Sequence, residues 1–209
     1  VRVDMPKFSG TAVVLKAITD VIGSSILLIL LGLPMLLIAF VIRRGSPGPA
    51  LFKQERVGLD GRTFLCWKFR TMYVDADARR DELRAAHGDD GATFKMADDP
   101  RITRIGRFLR RFSLDELPQL INVWRGDMSL VGPRPHPRDD VERYDDLAVR
   151  RLRARPGMTG LWQVRGRSDL SWEESVRLDL YYVENWSLSM DFVILASTVS
   201  AVVGGRGAY

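Results

Sequence analysis

With 209 residues, 46% of them apolar, the chain is long enough for one globular domain plus a membrane element. Thirty-one lysines and arginines against 26 acids give a formal charge of +5, which points to anionic partners: nucleic acid, a membrane surface or a phosphorylated substrate. The single cysteine, Cys66, excludes an internal disulfide. With only His87 and His136 beside it, an ordinary zinc site is excluded and Ser-His-Asp chemistry has little room.

The chain opens on Val1 rather than methionine, as a piece of a longer protein would. From Val21 to Ile42 it runs without a charge for about 22 residues, against roughly 20 needed to span a bilayer. The run is too late and too long for an ordinary signal peptide. Pro34, in Gly32-Leu33-Pro34, removes a backbone hydrogen bond and predicts a kink. Lys7 and Lys16 flank one end, and Arg43, Arg44, Lys53 and Arg56 the other, so the positive-inside rule selects no orientation. The pattern is read as a helix that enters one leaflet, bends near Pro34 and returns; a plain kinked transmembrane helix is the alternative. Lys16 and Asp20, one helical turn apart, are expected to pair at the membrane interface. Residues 1–45 are therefore read as an N-terminal segment with a re-entrant membrane helix, and residues 46–209 as a separate globular domain.

Ser46-Pro-Gly-Pro49 is a rigid turn. Leu51 to Met72 reads as two strands around the hairpin signal Leu59-Asp-Gly-Arg62. Lys68 and Arg70 interrupt the second strand, either as solvated residues or as cations aimed at a site. Cys66, between Leu65 and Trp67, reads as core filling. A charged surface helix capped by Asp75 is expected to His87, then a mobile loop to Pro100. From Arg101 to Phe112, Arg101, Arg104, Arg107 and Arg110 recur every three residues beside Ile102, Ile105, Phe108 and Phe112, an amphipathic helix with one cationic stripe. Such a stripe is a solvated face, a face for anionic lipid, or a cradle for phosphate oxygens. Its position just before a pair of acids favours the cradle.

Those acids are Asp115 and Glu116, in Ser113-Leu-Asp-Glu-Leu-Pro-Gln-Leu120, read as the start of a helix running to about Trp124. Two caps compete. Ser113 with Glu116 fits a capping box; Asp115 as N-cap better accommodates Pro118. A carboxylate pair ringed by fixed cations suits a site that receives phosphate, one acid serving as nucleophile or base and the other holding a divalent metal. Farther on, Leu161 to Val164 reads as a short strand, and Ser171-Trp-Glu-Glu174 as a capping box opening a helix to about Asn185. Ser189 or Asp191 then caps an apolar helix ending at Gly204-Gly205. Without βαβ repetition, a Rossmann sheet is not expected.

Several long motifs, taken in order, resemble the bacterial sugar transferase family, the monotopic phosphoglycosyl transferases. They are Ser46-Pro-Gly-Pro49, Phe52-Lys-Gln-Glu-Arg-Val-Gly58, Lys68-Phe-Arg-Thr-Met72 and Ser113–Leu120, then the segments Asn122–Pro135 and Pro156–Val164, and the terminal Gly207-Ala-Tyr209. The resemblance covers roughly residues 12 to 209. It implies a mainly α fold with a few short strands: a re-entrant membrane helix plus a compact cytoplasmic catalytic domain with interfacial amphipathic helices. It also implies transfer of a hexose-1-phosphate from a UDP-sugar to undecaprenyl phosphate with release of UMP, the first membrane step of surface polysaccharide assembly, at the cytoplasmic face of the bacterial inner membrane. Asp115 is then the nucleophile of a ping-pong reaction and Glu116 the residue associated with Mg²⁺. Arg110, Pro133, Arg134, Pro135 and Asp179 fall on the family's substrate-binding positions, and Lys68 and Arg70 join them as candidate cations. Direct attack by the lipid phosphate, with Asp115 as a base, is the closer alternative. The expected partners are the UDP-sugar, undecaprenyl phosphate and the phospholipid membrane. No nucleic acid is expected, since no recognition motif is present. The choice between glucose and galactose, and whether the protein is a homo-oligomer, stay open.

Overall fold

The computed structural model describes residues 10–76, 78, 99–166 and 170–203. Its first element, α1 (Thr11–Gly45), is a 35-residue helix that continues through Pro34. With a mean hydropathy of 2.9 over its most apolar window, it is long and apolar enough to cross a membrane. Its burial is inverted: Lys16, Asp20 and Ser24 are buried, whereas Ile29 is 81% and Leu33 79% exposed. A water-soluble helix shows the opposite arrangement.

The hairpin forms as its turn chemistry predicts. β1 (Leu51–Val57) and β2 (Thr63–Phe69) pair antiparallel, with Leu51 opposite Phe69 and Val57 opposite Thr63. Next come α2 (Arg104–Arg111), α3 (Gln119–Arg125), β3 (Ser129–Val131) and the one-turn helix α4 (Arg138–Val141). β4 (Gly157–Thr159) pairs parallel with β3, and α5 (Leu161–Arg165), α6 (Trp172–Asn185) and α7 (Leu188–Val203) follow. The fold is thus mainly helical with a few short strands.

Two apolar clusters hold these elements together, and α1 contributes to both. Ala12 packs against a core of Val131, Leu161, Tyr182, Val183, Trp186 and Ile194. Met35, Ile38, Ala39 and Ile42 pack with Phe69 and Leu109. Full burial of such a side chain stabilises by about 1.5–3 kcal/mol. Cys66 fills a third cluster with Val123 and Met128, as its apolar neighbours suggest. Asn122, fully buried, locks β2 to α3: its Oδ1 accepts from the Trp67 amide at 3.0 Å and its Nδ2 donates to the Leu65 carbonyl at 2.7 Å.

Several local expectations are corrected. Arg101 lies before α2, not in its stripe; it is buried in an ion pair with Asp99 at 2.7 Å, and Thr103 caps the helix by accepting from the Gly106 amide at 2.9 Å. Phe108, expected on the packed face, is 51% exposed while Leu109 takes the core position. Leu161 to Val164 is helical, because the backbone closes from Val164 N to Gly160 O. Ser187 Oγ, not Ser189 or Asp191, accepts from the amide of Met190 at the start of α7. Lys16 and Asp20 pair as read, at 3.5 Å, and both are buried against the rest of the protein. The Ser171 capping box is present as read. The helix and loop read at 75–100 fall largely outside the described residues, as does Gly207-Ala-Tyr209.

Candidate active site

Asp115 and Glu116 do not open an α-helix. Ser113 takes a left-handed conformation, φ 54° and ψ 22°, that ends the α2 segment and makes no side-chain cap. A single 3₁₀ turn, Leu114–Glu116, carries the acids, and Pro118 occupies the N-cap position of α3. Neither proposed cap forms. With Pro118 at the cap, its missing N–H falls where no intrahelical partner exists, so it costs no helical hydrogen bond. Leu114 and Leu117, on either side of the acids, pack into the Ile42, Phe69 and Leu109 cluster and anchor the turn.

Glu116 is clamped by two cations. Lys68 Nζ donates to its Oε1 at 2.8 Å; Arg134 donates to Oε1 at 2.7 Å and to Oε2 at 3.3 Å. Burial opposes ionisation of Glu116, but Arg134 and then Lys68 outweigh it and hold the carboxyl far below the usual range. Among the described residues no hydrogen bond acts on the Asp115 carboxyl, by contrast. Burial, then the adjacent Glu116 charge, push its pKa up to about 6, against the pull of Lys68, Arg110 and Arg134. One acid is therefore fixed and permanently charged. The other is a relatively basic, partly buried carboxylate on which no hydrogen bond acts among the described residues. Three cations facing two acids leave a net positive pocket suited to a diphosphate.

Arg134 reaches Glu116 from the segment that follows β3. The parallel partner strand comes so close there that a Cβ at Gly157 would lie 2.1 Å from the Gly132 nitrogen, so only glycine fits. Pro133 and Pro135 bracket Arg134 and line a narrow cleft with Val57, Gly58, His136 and Tyr144. Arg56 donates to the Pro135 carbonyl at 3.3 Å. Arg110 donates through Nε to Thr71 Oγ1 at 2.9 Å while its charge acts on Asp115.

Two predicted site residues lie elsewhere. Arg70, read either as solvated or as aimed at the acids, is neither. It is buried against the 46–47 turn, donating to the Ser46 carbonyl at 2.8 Å, to Ser46 Oγ at 2.9 Å and to the Pro47 carbonyl. Asp179 is fully buried and ion-paired with Arg151. Arg151 in turn donates to Tyr144 Oη at 3.0 Å and to the Arg134 carbonyl at 3.3 Å. Asp179 thus stands behind Arg134, with Arg151 and Arg134 between it and Glu116. Burial raises its pKa to about 6 despite Arg151. Arg151, Arg56, Thr71 and Asn122 were not singled out from sequence. Arg151 sits within the arginine-rich 150–155 segment, but nothing local distinguishes it from its solvated neighbours.

The family model described as "Bacterial sugar transferase" matches residues 11–205. The chain belongs to the bacterial sugar transferase family. It is 45% identical over 194 residues to the exopolysaccharide production protein ExoY of Rhizobium meliloti, covering 91% of this chain and 86% of that protein. It is 45% identical over 199 residues to the undecaprenyl-phosphate galactose phosphotransferase of Salmonella typhimurium, covering 93% of this chain but 42% of that protein. It is 44% identical over 203 residues to the UDP-glucose:undecaprenyl-phosphate glucose-1-phosphate transferase of Caulobacter vibrioides, covering 93% and 72%. The chain therefore spans less than half the length of some of the curated relatives it matches.

Proposed function

We propose that this sugar transferase moves a hexose-1-phosphate from a UDP-sugar to undecaprenyl phosphate at the cytoplasmic face of the membrane, releasing UMP. The contrast within the acid pair supports this reading most: Glu116 is clamped by Lys68 and Arg134, while Asp115 beside it has no hydrogen bond among the described residues and is raised to a pKa of about 6. Above pH 7 Asp115 is then mostly carboxylate. One Asp115 oxygen attacks the sugar-bearing phosphorus. The bond to the UMP phosphate breaks, and UMP leaves with its electron pair. The resulting acyl phosphate is attacked at phosphorus by an oxygen of undecaprenyl phosphate, which restores the Asp115 carboxylate and gives the lipid diphosphate sugar. Arg110 and Arg134 face the diphosphate, where positioning and charge neutralisation dominate phosphoryl transfer.

The donor set fits Mg²⁺ delivered with the substrate. Among the described residues Glu116 Oε2 has only the 3.3 Å contact with Arg134, and no hydrogen bond acts on Asp115. Among the described residues no three acidic, histidine or cysteine side chains converge, so diphosphate oxygens and water would complete the shell. When bound, the ion neutralises charge as it builds on the leaving phosphate.

The packing of α1 supports a re-entrant helix bent at Pro34. Lys16, Asp20 and Ser24 are buried on one part of the domain, and Met35, Ile38, Ala39 and Ile42 pack on another. The stretch between them is about ten residues, or about 15 Å of helix, against about 30 Å of hydrocarbon. A spanning helix would have to carry one of these packed ends across the bilayer. A re-entrant course keeps both ends with the catalytic domain and, on this reading, the acids near headgroup level.

The test is a panel of UDP-sugars with undecaprenyl phosphate, scored by UMP release. UMP is expected with UDP-glucose or UDP-galactose; no release with any UDP-sugar would refute the reaction.

A further inference from the structure

The polar side chains on α1 do more than bury a helix face. Asp20 Oδ1 accepts from the Leu130 amide at 3.0 Å and from Ser129 Oγ at 3.0 Å, so α1 holds the backbone of β3. Lys16 Nζ donates to Asp191 Oδ2 on α7 at 2.6 Å and lies 3.5 Å from Asp20 Oδ1. Asp191 is further held by Trp186 Nε1 at 3.2 Å. The Tyr182 hydroxyl sits between Asp191 Oδ1, at 2.8 Å, and the Val131 carbonyl, at 2.9 Å. The Leu130 amide and the Val131 carbonyl are thus both set by one buried network that begins on the membrane helix. The approach is close: a Cβ at Gly23 would lie 2.8 Å from Leu130 Cδ1.

Arg134 follows Val131 by three residues. Gly132 is pressed against β4, and Pro133 has a ring-locked φ, so little slack separates the strand from the guanidinium that clamps Glu116. A buried ion pair is a poor means of stabilising a helix contact, since apolar side chains of the same shape seat it as well. What the network adds is a single register: sliding α1 by one turn would unpair Lys16, Asp20 and Asp191 together.

We propose that Lys16 and Asp20 are positioning residues for Arg134, so that seating of the membrane helix and the geometry of the carboxylate pair are coupled. The kinetic part rests on the proposed transfer reaction; the structural part does not. Asp20→Ala removes the acceptor for Leu130, Asp20→Asn keeps a carbonyl oxygen there, and Lys16→Met removes the charge while Lys16→Arg keeps it. The full chain is compared in lipid nanodiscs by amide hydrogen exchange and by UMP release. Asp20→Ala and Lys16→Met are expected to speed exchange at Leu130–Gly132 with α6 unchanged, and to lower turnover by about tenfold. Asp20→Asn and Lys16→Arg are expected to restore most of both. Combined with Arg134→Lys, Asp20→Ala is expected to cost less than about twofold more, because the residue it positions is already impaired.

Unchanged exchange at Leu130–Gly132 would overturn the proposal. So would turnover losses that multiply in the double variant, or exchange that rises equally throughout α6, which would assign Asp20 to overall stability. If the wild type releases no UMP from any UDP-sugar, the transfer reaction fails while the exchange measurement still decides the coupling.

Discussion

Asp115→Asn is expected to abolish turnover and to make the protein more stable. The folded-state pKa of about 6 lies above the ordinary aspartate value of 3.8, so folding favours the neutral form. The stability that Asp115 contributes is complete below pH 4 and is lost as pH rises through about 6. The difference of about two units corresponds to at most about 3 kcal/mol, less because the side chain is only partly buried. Asparagine does not titrate. The variant is therefore expected to match the wild type near pH 4 and to exceed it by a plateau of about 1–3 kcal/mol above pH 7, several degrees in Tm for a chain of this size. Thermal scans of both proteins at pH 4.5, 6 and 8, at one scan rate, in one detergent and with EDTA to remove divalent cations, measure it. An asparagine variant that is less stable at pH 8, or a difference that does not change with pH, would refute the electrostatic account of the site.

Turnover is expected to require Mg²⁺, and Glu116→Gln to impair it far more than Glu173→Gln on the exposed first turn of α6; full activity in excess EDTA would refute this. Asp179→Ala removes the carboxylate from the buried Arg151–Asp179 pair and is expected to cost about 3–5 kcal/mol in denaturant unfolding. A substrate-contacting role would instead raise the donor KM with stability unchanged. Cysteines at Ser9 and at the exposed Gly45, in a Cys66→Ala background, are expected to react with an impermeant thiol reagent only from the cytoplasmic side; labelling of Ser9→Cys from outside would mean that α1 spans.

Features specified within a few residues were legible in the sequence. The Ser171 capping box and the Leu59-Asp-Gly-Arg62 turn depend on neighbours three or four apart, and both formed. The acids and Arg134 were legible because their motifs are long and ordered. Features decided by distant contacts were not. Asp191 has the side chain of a helix cap but pairs with Lys16, 175 residues away. Arg70 sits two residues from Lys68, on the same side of an extended chain, yet folds back onto Ser46 where the strand ends. Arg101 fits the arginine period, but Asp99 captures it before the helix starts. Leu161 to Val164 is a short apolar run whose periodicity cannot separate strand from helix. The strand lies at Gly157–Thr159, where glycine admits the backbone of β3.

The central claim is that Asp115 attacks the donor, and a single turnover without lipid acceptor tests it most directly. Wild-type protein mixed with a UDP-hexose substrate is quenched, UMP is counted, and the intact protein is weighed. The account predicts about one UMP per site and a protein heavier by one hexose phosphoryl group, with both absent in Asp115→Asn. No UMP until undecaprenyl phosphate is added, with no mass gain, would contradict it and make Asp115 a base for direct attack.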